Sequence, residues 1–107
     1  MLWRHRAGKG VHFRVKHYII SKFRPDTPWR EYLPDIESIF RETLAIPGVH
    51  SAEVFPSCSE RANRFDLMIC MDMDADALPL YDASEPHRRW KEKYGPMLDG
   101  KTIFDRA

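Results

Sequence analysis

Phe13-Arg14-Val15-Lys16-His17-Tyr18-Ile19-Ile20-Ser21-Lys22-Phe23-Arg24 alternates along its whole length. Phe13, Val15, His17, Ile19, Ser21 and Phe23 fall on one side, and Arg14, Lys16, Tyr18, Ile20, Lys22 and Arg24 on the other. A period of two is that of a β-strand. Tyr18 and Ile20 stand on the charged side, so both faces of the strand expect partial cover. Downstream, Thr27-Pro28 reads as a helix start, with Thr27 as the cap and Pro28 at the first helical position. Pro34 would clash one turn back inside a continuous helix. The reading is therefore a short opening turn, a kink, and a main helix from about Pro34 to Ala45. Ile36, Ile39, Phe40 and Leu44 recur at helical steps and form its buried stripe, and Pro47-Gly48 ends it.

Residues 49 to 55 read as a second strand and 56 to 63 as a polar loop. From Phe65 to Met73, Phe65, Leu67, Ile69, Met71 and Met73 share one side of a third strand, with Asp66, Met68, Cys70 and Asp72 opposite. Asp74 or Asp76 caps a helix ending near Tyr81. Ser84 caps the next, from Glu85 to about Tyr94, which Gly95-Pro96 stops, and Lys101 to Asp105 is the last strand. The order βαββαβ, with its last helix broken in two, is the ferredoxin-like α+β arrangement. Its helices can cover only one sheet face. The strands carry apolar groups on both, so the second face predicts association.

Composition sets the outer limits. A chain of 107 residues, 43% hydrophobic and 31% charged, is one globular domain, and at this size folding buries only roughly two thirds of the unfolded surface. No run approaches the roughly 18 apolar residues of a membrane span, and the first residues do not form a signal peptide, so a cytoplasmic location is expected. Residues 1 to 24 carry seven basic residues and no acid, leaving −6 for the remainder of a chain whose net charge is +1. This basic arm lacks the repeated basic-aromatic pattern of single-strand binders, so contact with nucleic acid is not expected. Residues 1 to 12 read as a separate extension, a hairpin through Ala7-Gly8-Lys9-Gly10 or a flexible arm, ahead of a domain from 13 to 107.

Cys58 and Cys70 lack the Cys-x-x-Cys spacing of redox or zinc sites and read as reduced thiols. Asp72-x-Asp74-x-Asp76 fails as a calcium loop, because Ala77 stands at the glycine position and Ala83 at the terminal acid. His5, His12 and His50 have no metal-ligand spacing and read as surface groups. No cofactor motif is present, and none is expected.

Four elements in order, Val15-Lys16-His17, Ile46-Pro47-Gly48-Val49, Tyr81 six residues before His87, and Ile103-Phe104-Asp105, resemble the stress-responsive A/B barrel (Dabb) family over Phe13 to Asp105. The resemblance implies a homodimer in which two sheets pack face to face into an α/β barrel. It also implies that residues 1 to 12 are an addition. Three positions align with the pocket of the family's plant polyketide cyclase, in which a tyrosine and a histidine do acid-base work and a second histidine lines the cavity: Tyr81, His87 and His17. Leu67 stands where the cyclase has a further pocket histidine, and Ser84-Glu85-Pro86-His87 replaces the frequent His-Pro-x-His.

The residues themselves point the same way. His87, third in its helix, shares a face with Trp90 and Tyr94, and the helix amino terminus favours a neutral ring that can accept a proton. Tyr81 could donate a hydrogen bond to a developing oxyanion, provided that the turn from Asp82 to Glu85 doubles back. His17, among apolar neighbours, needs a partner such as a ligand, a water or Asp66. The expected site is a small enclosed apolar cavity between sheet and helices, with His87 and Tyr81 as candidate catalytic residues and His17, Trp90, Leu67 and Tyr94 as its lining. Binding of a small apolar or aromatic molecule is the first reading. A cofactor-free acid-base enzyme, cyclase-like or lyase-like, is the alternative.

Overall fold

The computed structural model describes residues 13–107, so the extension expected over residues 1–12 lies outside the described residues. Four strands, β1 (Arg14–Phe23), β2 (Val49–Pro56), β3 (Leu67–Asp74) and β4 (Leu98–Arg106), form one sheet in the order β2-β3-β1-β4 with every pair antiparallel. The helices are α1 (Leu33–Glu42), α2 (Ala77–Asp82) and α3 (Glu85–Tyr94). The ferredoxin-like order is as expected.

The register follows from side-chain alternation. Ile19 sits between Ile69 of β3 and Ile103 of β4, and His17 between Met71 and Asp105. A slip of one residue would turn Val15, Ile19 and Phe23 away from the helices. Those three are at most 3% exposed, as are Leu67, Ile69, Met71 and Met73. Burying one large apolar side chain contributes roughly 1.5–3 kcal/mol, so this stripe decides both register and layering. The ion pairs of Arg88 with Glu85 and Glu92 lie in solvent and add little. What holds α3 is its apolar side. Trp90 meets Phe40 of α1 edge-on at 5.3 Å between centroids, and the Tyr94 hydroxyl donates to Asp35 at 2.5 Å.

Several expectations need correction. Pro34 does not kink a helix. It occupies the first turn of α1, where its missing N–H is no loss, after a separate 3-10 turn over Trp29–Tyr32. Thr27 does not cap that turn; Pro28 stands at the cap position with no side-chain bond. Leu44 is 46% exposed and Thr43 is buried in its place, its hydroxyl donating to the Phe40 carbonyl. The chain tightens into a 3-10 turn over Thr43–Ala45, which rotates Leu44 off the apolar stripe. Phe65 lies outside β3 and is exposed. Asp76 precedes α2 without a capping bond from its side chain.

Among the described residues, the helices cover one side of the sheet. On the other lie Tyr18, Ile20, Met68 and Cys70, all half-buried, with Phe55 and Phe104 at 42% and 57% exposure. Cys58 is exposed in the loop after β2. Among the described residues, no helix is long and apolar enough to cross a membrane.

Gly48 turns the chain from α1 into β2 at φ +89°, and a Cβ built there would meet the Ala77 Cβ at 3.0 Å. Both backbone and space exclude a side chain. Gly48→Ala is expected to destabilise the fold by about 1–3 kcal/mol, measured as a lower urea midpoint at unchanged slope.

Candidate functional site

Where α2 turns into α3, the chain doubles back over the β1–β4 side of the sheet. Ser84, in extended backbone conformation, accepts a hydrogen bond from the His87 amide at 3.3 Å and donates from its hydroxyl to the Tyr81 carbonyl at 2.7 Å. One serine therefore ends α2 and starts α3. Pro86, at the second helical position, has no N–H to leave unmet. The turn carries the His87 ring to 4.7 Å from the ring of Tyr81, whose other neighbour is the ring of His17 at 5.6 Å. Three rings from three elements, His17 of β1, Tyr81 of α2 and His87 of α3, thus form one row.

Each imidazole is tied through Nδ1. His17 Nδ1 donates to Asp105 Oδ1 at 2.5 Å, and His87 Nδ1 donates to the Asp82 main-chain carbonyl at 2.8 Å. Carboxylate and carbonyl oxygens accept here, so Nδ1 carries a proton in both rings. Nε2 of each ring is left for another group. The partner of His17 is Asp105 and not Asp66, whose carboxylate instead accepts from the Phe23 amide at 2.8 Å. Antiparallel pairing of β1 with β4 places Asp105 directly opposite His17 on the same face.

Tyr81 is 1% exposed, and its hydroxyl is buried without a hydrogen-bond partner among the described residues. Burial first, and Asp82 second, push its pKa well above the usual phenol value. It stays protonated, a donor. Half-burial pushes the His87 pKa below the ordinary histidine value, opposed by the Asp82 carbonyl bond and the Asp82 charge and reinforced by Lys91 and Lys101.

These residues line a cleft of about 270 Å³. That is slightly under the roughly 300 Å³ at which pockets for drug-sized ligands begin, and suits a compound of about one ring. Trp90 joins the wall as expected; Leu67 and Tyr94 do not. Leu67 lies in the core at 2% exposure, opposite Ser21 and a full turn of the pleat beyond Ile19. Tyr94 lies a helical turn past Trp90, against Tyr32 and Asp35. The cleft is half-open rather than enclosed. It is also more polar than expected, with Asp82, Lys91, Lys101 and Asp105 at its mouth beside Leu78 and Ile103. A groove of about 360 Å³ between α1 and β2 is larger but contains no imidazole or phenol. Volume alone does not mark the chemistry. Among the described residues, no group of three or more His, Cys, Asp or Glu could hold a metal ion.

No protein-family model matches the sequence, and no curated protein does. Solved structures do. A dimeric ferredoxin-like protein of unknown function from Thermobifida fusca superposes with a TM-score of 0.74 at 18% identity, over 88% of this chain and 90% of its own. A Dabb family protein with a ferredoxin-like fold from Mesorhizobium loti does so with a TM-score of 0.69 at 16% identity, over 88% and 95%. The chain has the ferredoxin-like fold of these proteins. The same fold is shared by the hydroxynitrile lyase of Passiflora edulis, with a TM-score of 0.69 at 11% identity, over 87% of this chain and 91% of the lyase. At these identities the Dabb likeness concerns architecture, and the chemistry rests on the residues present.

The lowered His87 pKa has a consequence for stability. The unfolded ring, near 6.5, binds its proton before the folded one does, so stability is full above that pH and falls as the pH drops toward the folded value. The His87 ring resonance should titrate with a midpoint below 6.5. His87→Gln should weaken the loss of stability as the pH falls below about 6.5, followed as melting temperature against pH.

Proposed function

We propose that this chain is a homodimeric Dabb-type protein of the cytoplasm, its domain spanning residues 13–107, that binds a small oxygen-bearing molecule in the cleft of each subunit. The observation that carries the binding reading is the row of His17, Tyr81 and His87. Two imidazoles keep Nε2 available, and between them stands a phenol whose hydroxyl has no partner. An unmet buried hydroxyl costs about 1–3 kcal/mol. A ligand carbonyl or hydroxyl that drew it into a hydrogen bond would recover that energy. Leu78, Trp90 and Ile103 supply apolar wall for the ligand's body.

Dimerisation is supported by the uncovered sheet face, where Tyr18, Ile20, Met68 and Phe104 lie together, and by solved neighbours described as dimeric. Ile20→Glu is expected to convert a dimer into a monomer in light scattering, since it would bury an unpaired carboxylate at the centre of the contact.

A second reading, cofactor-free acid-base catalysis on a ketone or aldehyde, is favoured by one specific feature. His87 is held neutral with Nε2 unprotonated, as a general base requires, and Tyr81 beside it is held protonated, as an oxyanion donor requires. His17, aligned by Asp105, would orient the substrate. The lyase of Passiflora edulis shares the fold, which is compatible with such chemistry without assigning it.

Melting shifts across a panel of aromatic and aliphatic aldehydes, ketones and alcohols test the binding reading. Tyr81→Phe should leave the ligand-free protein as stable or more stable, by up to about 1 kcal/mol, while reducing the ligand-induced shift. A flat response of the wild-type protein to the whole panel would overturn the reading. Turnover that survives both His87→Ala and Tyr81→Phe would remove the catalytic one.

A further inference from the structure

Two lysines from separate elements converge on the mouth of the cleft. Lys91 lies one turn beyond His87 on α3, and Lys101 lies on the helix-facing side of β4, two residues before Ile103. The other basic residues of α3 are occupied: Arg88 by Glu85 and Glu92, Arg89 by Glu42, and Lys93 by Asp35. Lys91 and Lys101 make neither an ion pair nor a side-chain hydrogen bond among the described residues. Both are close enough to His87 for their charge to act on its ring.

The carboxylates at the mouth are not paired with them. Asp105 bonds His17 Nδ1 at 2.5 Å, and among the described residues Asp82 has no side-chain partner. Both ammonium groups are therefore free to take up an anion. A lysine on a four-carbon stem is a mobile point charge that can close over an anion at the edge of an apolar wall.

We infer that the ligand of this cleft carries an anionic group, a carboxylate or a phosphate, held between Lys91 and Lys101 while its apolar body lies against Leu78, Trp90 and Ile103. This inference rests on the small-molecule reading of the cleft given above and adds the charge class of the ligand to it. Lys91 and Lys101 become the residues that set specificity. The row of His17, Tyr81 and His87 meets the ligand's neutral oxygen farther in.

The test compares benzoylformate with its neutral methyl ester, titrated into the full-length protein at low salt and followed through the His87 ring resonance. Benzoylformate should bind on the order of tenfold tighter than the ester, the gain expected of a charge-assisted contact, and added sodium chloride should erode the difference. Binding of the acid should also raise the titration midpoint of His87, because a negative charge placed between the lysines offsets their repulsion of the imidazolium. The Lys91→Gln, Lys101→Gln double variant should bind acid and ester alike, and the double Arg variant should keep the preference. Both lysines are exposed and unpaired, so an unchanged melting temperature is expected to confirm that the variants fold. Phenyl phosphate distinguishes the two anions, since tighter binding than benzoylformate identifies a phosphate site and weaker binding a carboxylate site.

Equal or tighter binding of the ester, or a preference that survives the double Gln variant, would overturn the inference and leave the small-molecule reading standing. Silence of all three probes while neutral carbonyl compounds still bind would overturn it too. Silence of every compound would remove both.

Discussion

A four-stranded sheet must cover two faces, and this chain has helices for one. The helix-facing residues of β1 and β3 are almost entirely buried, whereas Tyr18, Ile20, Met68 and Phe104 on the reverse keep part of their surface in water. Because the side-chain period of a strand is two, both sets are carried by the same segments and neither can be improved without turning the other. Register and layer order follow from this constraint, and so does the partly bare apolar face that the proposed dimer would cover.

The site grows out of the same geometry. On the β2 side, α1 covers the sheet and packs against α3 through Phe40 and Trp90. Over β4 the cover thins, because α2 is only six residues long and turns at once into α3. That shortfall of helix leaves the cleft. The polar groups around it are those the core could not absorb: a histidine on the inner face of β1, a phenol with no acceptor, and a second histidine at a helix start. Each is stabilised locally, His17 by Asp105 and His87 by the Asp82 carbonyl, and each retains hydrogen-bonding capacity on its other side. Of these three, Tyr81 keeps an unmet buried group among the described residues, and natural cores rarely retain one without a use for it.

Much of this was legible in the residues. The alternation of β1 and β3, the cap at Ser84 and the helical stripe of Ile36, Ile39 and Phe40 all read correctly, because each rests on a local period or a short-range bond. The errors have a common origin. Leu44 was misplaced because a 3-10 turn rotates each residue by about 120° instead of 100°, a change with no strong local signal. Leu67 aligns with a pocket position of the cyclase and Tyr94 shares a helix face with His87, but neither an alignment nor a face several residues long confines a residue to a cleft of about 270 Å³. Asp105 was in view as part of a terminal motif. Its bond to His17 depends on a pairing between positions 88 residues apart, which no local pattern encodes. The charged mouth of the cleft was missed for the same reason, since Lys91 and Lys101 come together only when α3 lies across β4.

β4 is the element on which these threads meet. It is an edge strand, bonded to β1 alone, and nearly all of its residues are open to solvent on the single subunit. Yet it supplies Lys101, Ile103 and Asp105 to the cleft on one side and Phe104 to the bare face on the other. Peeling of this last segment from its neighbour would therefore dismantle the pocket wall and release His17 from its carboxylate in one event. In the proposed ligand-binding homodimer, occupancy of the pocket and pairing of the two molecules would each hold the segment down, and the two equilibria would strengthen one another through the tail of the chain.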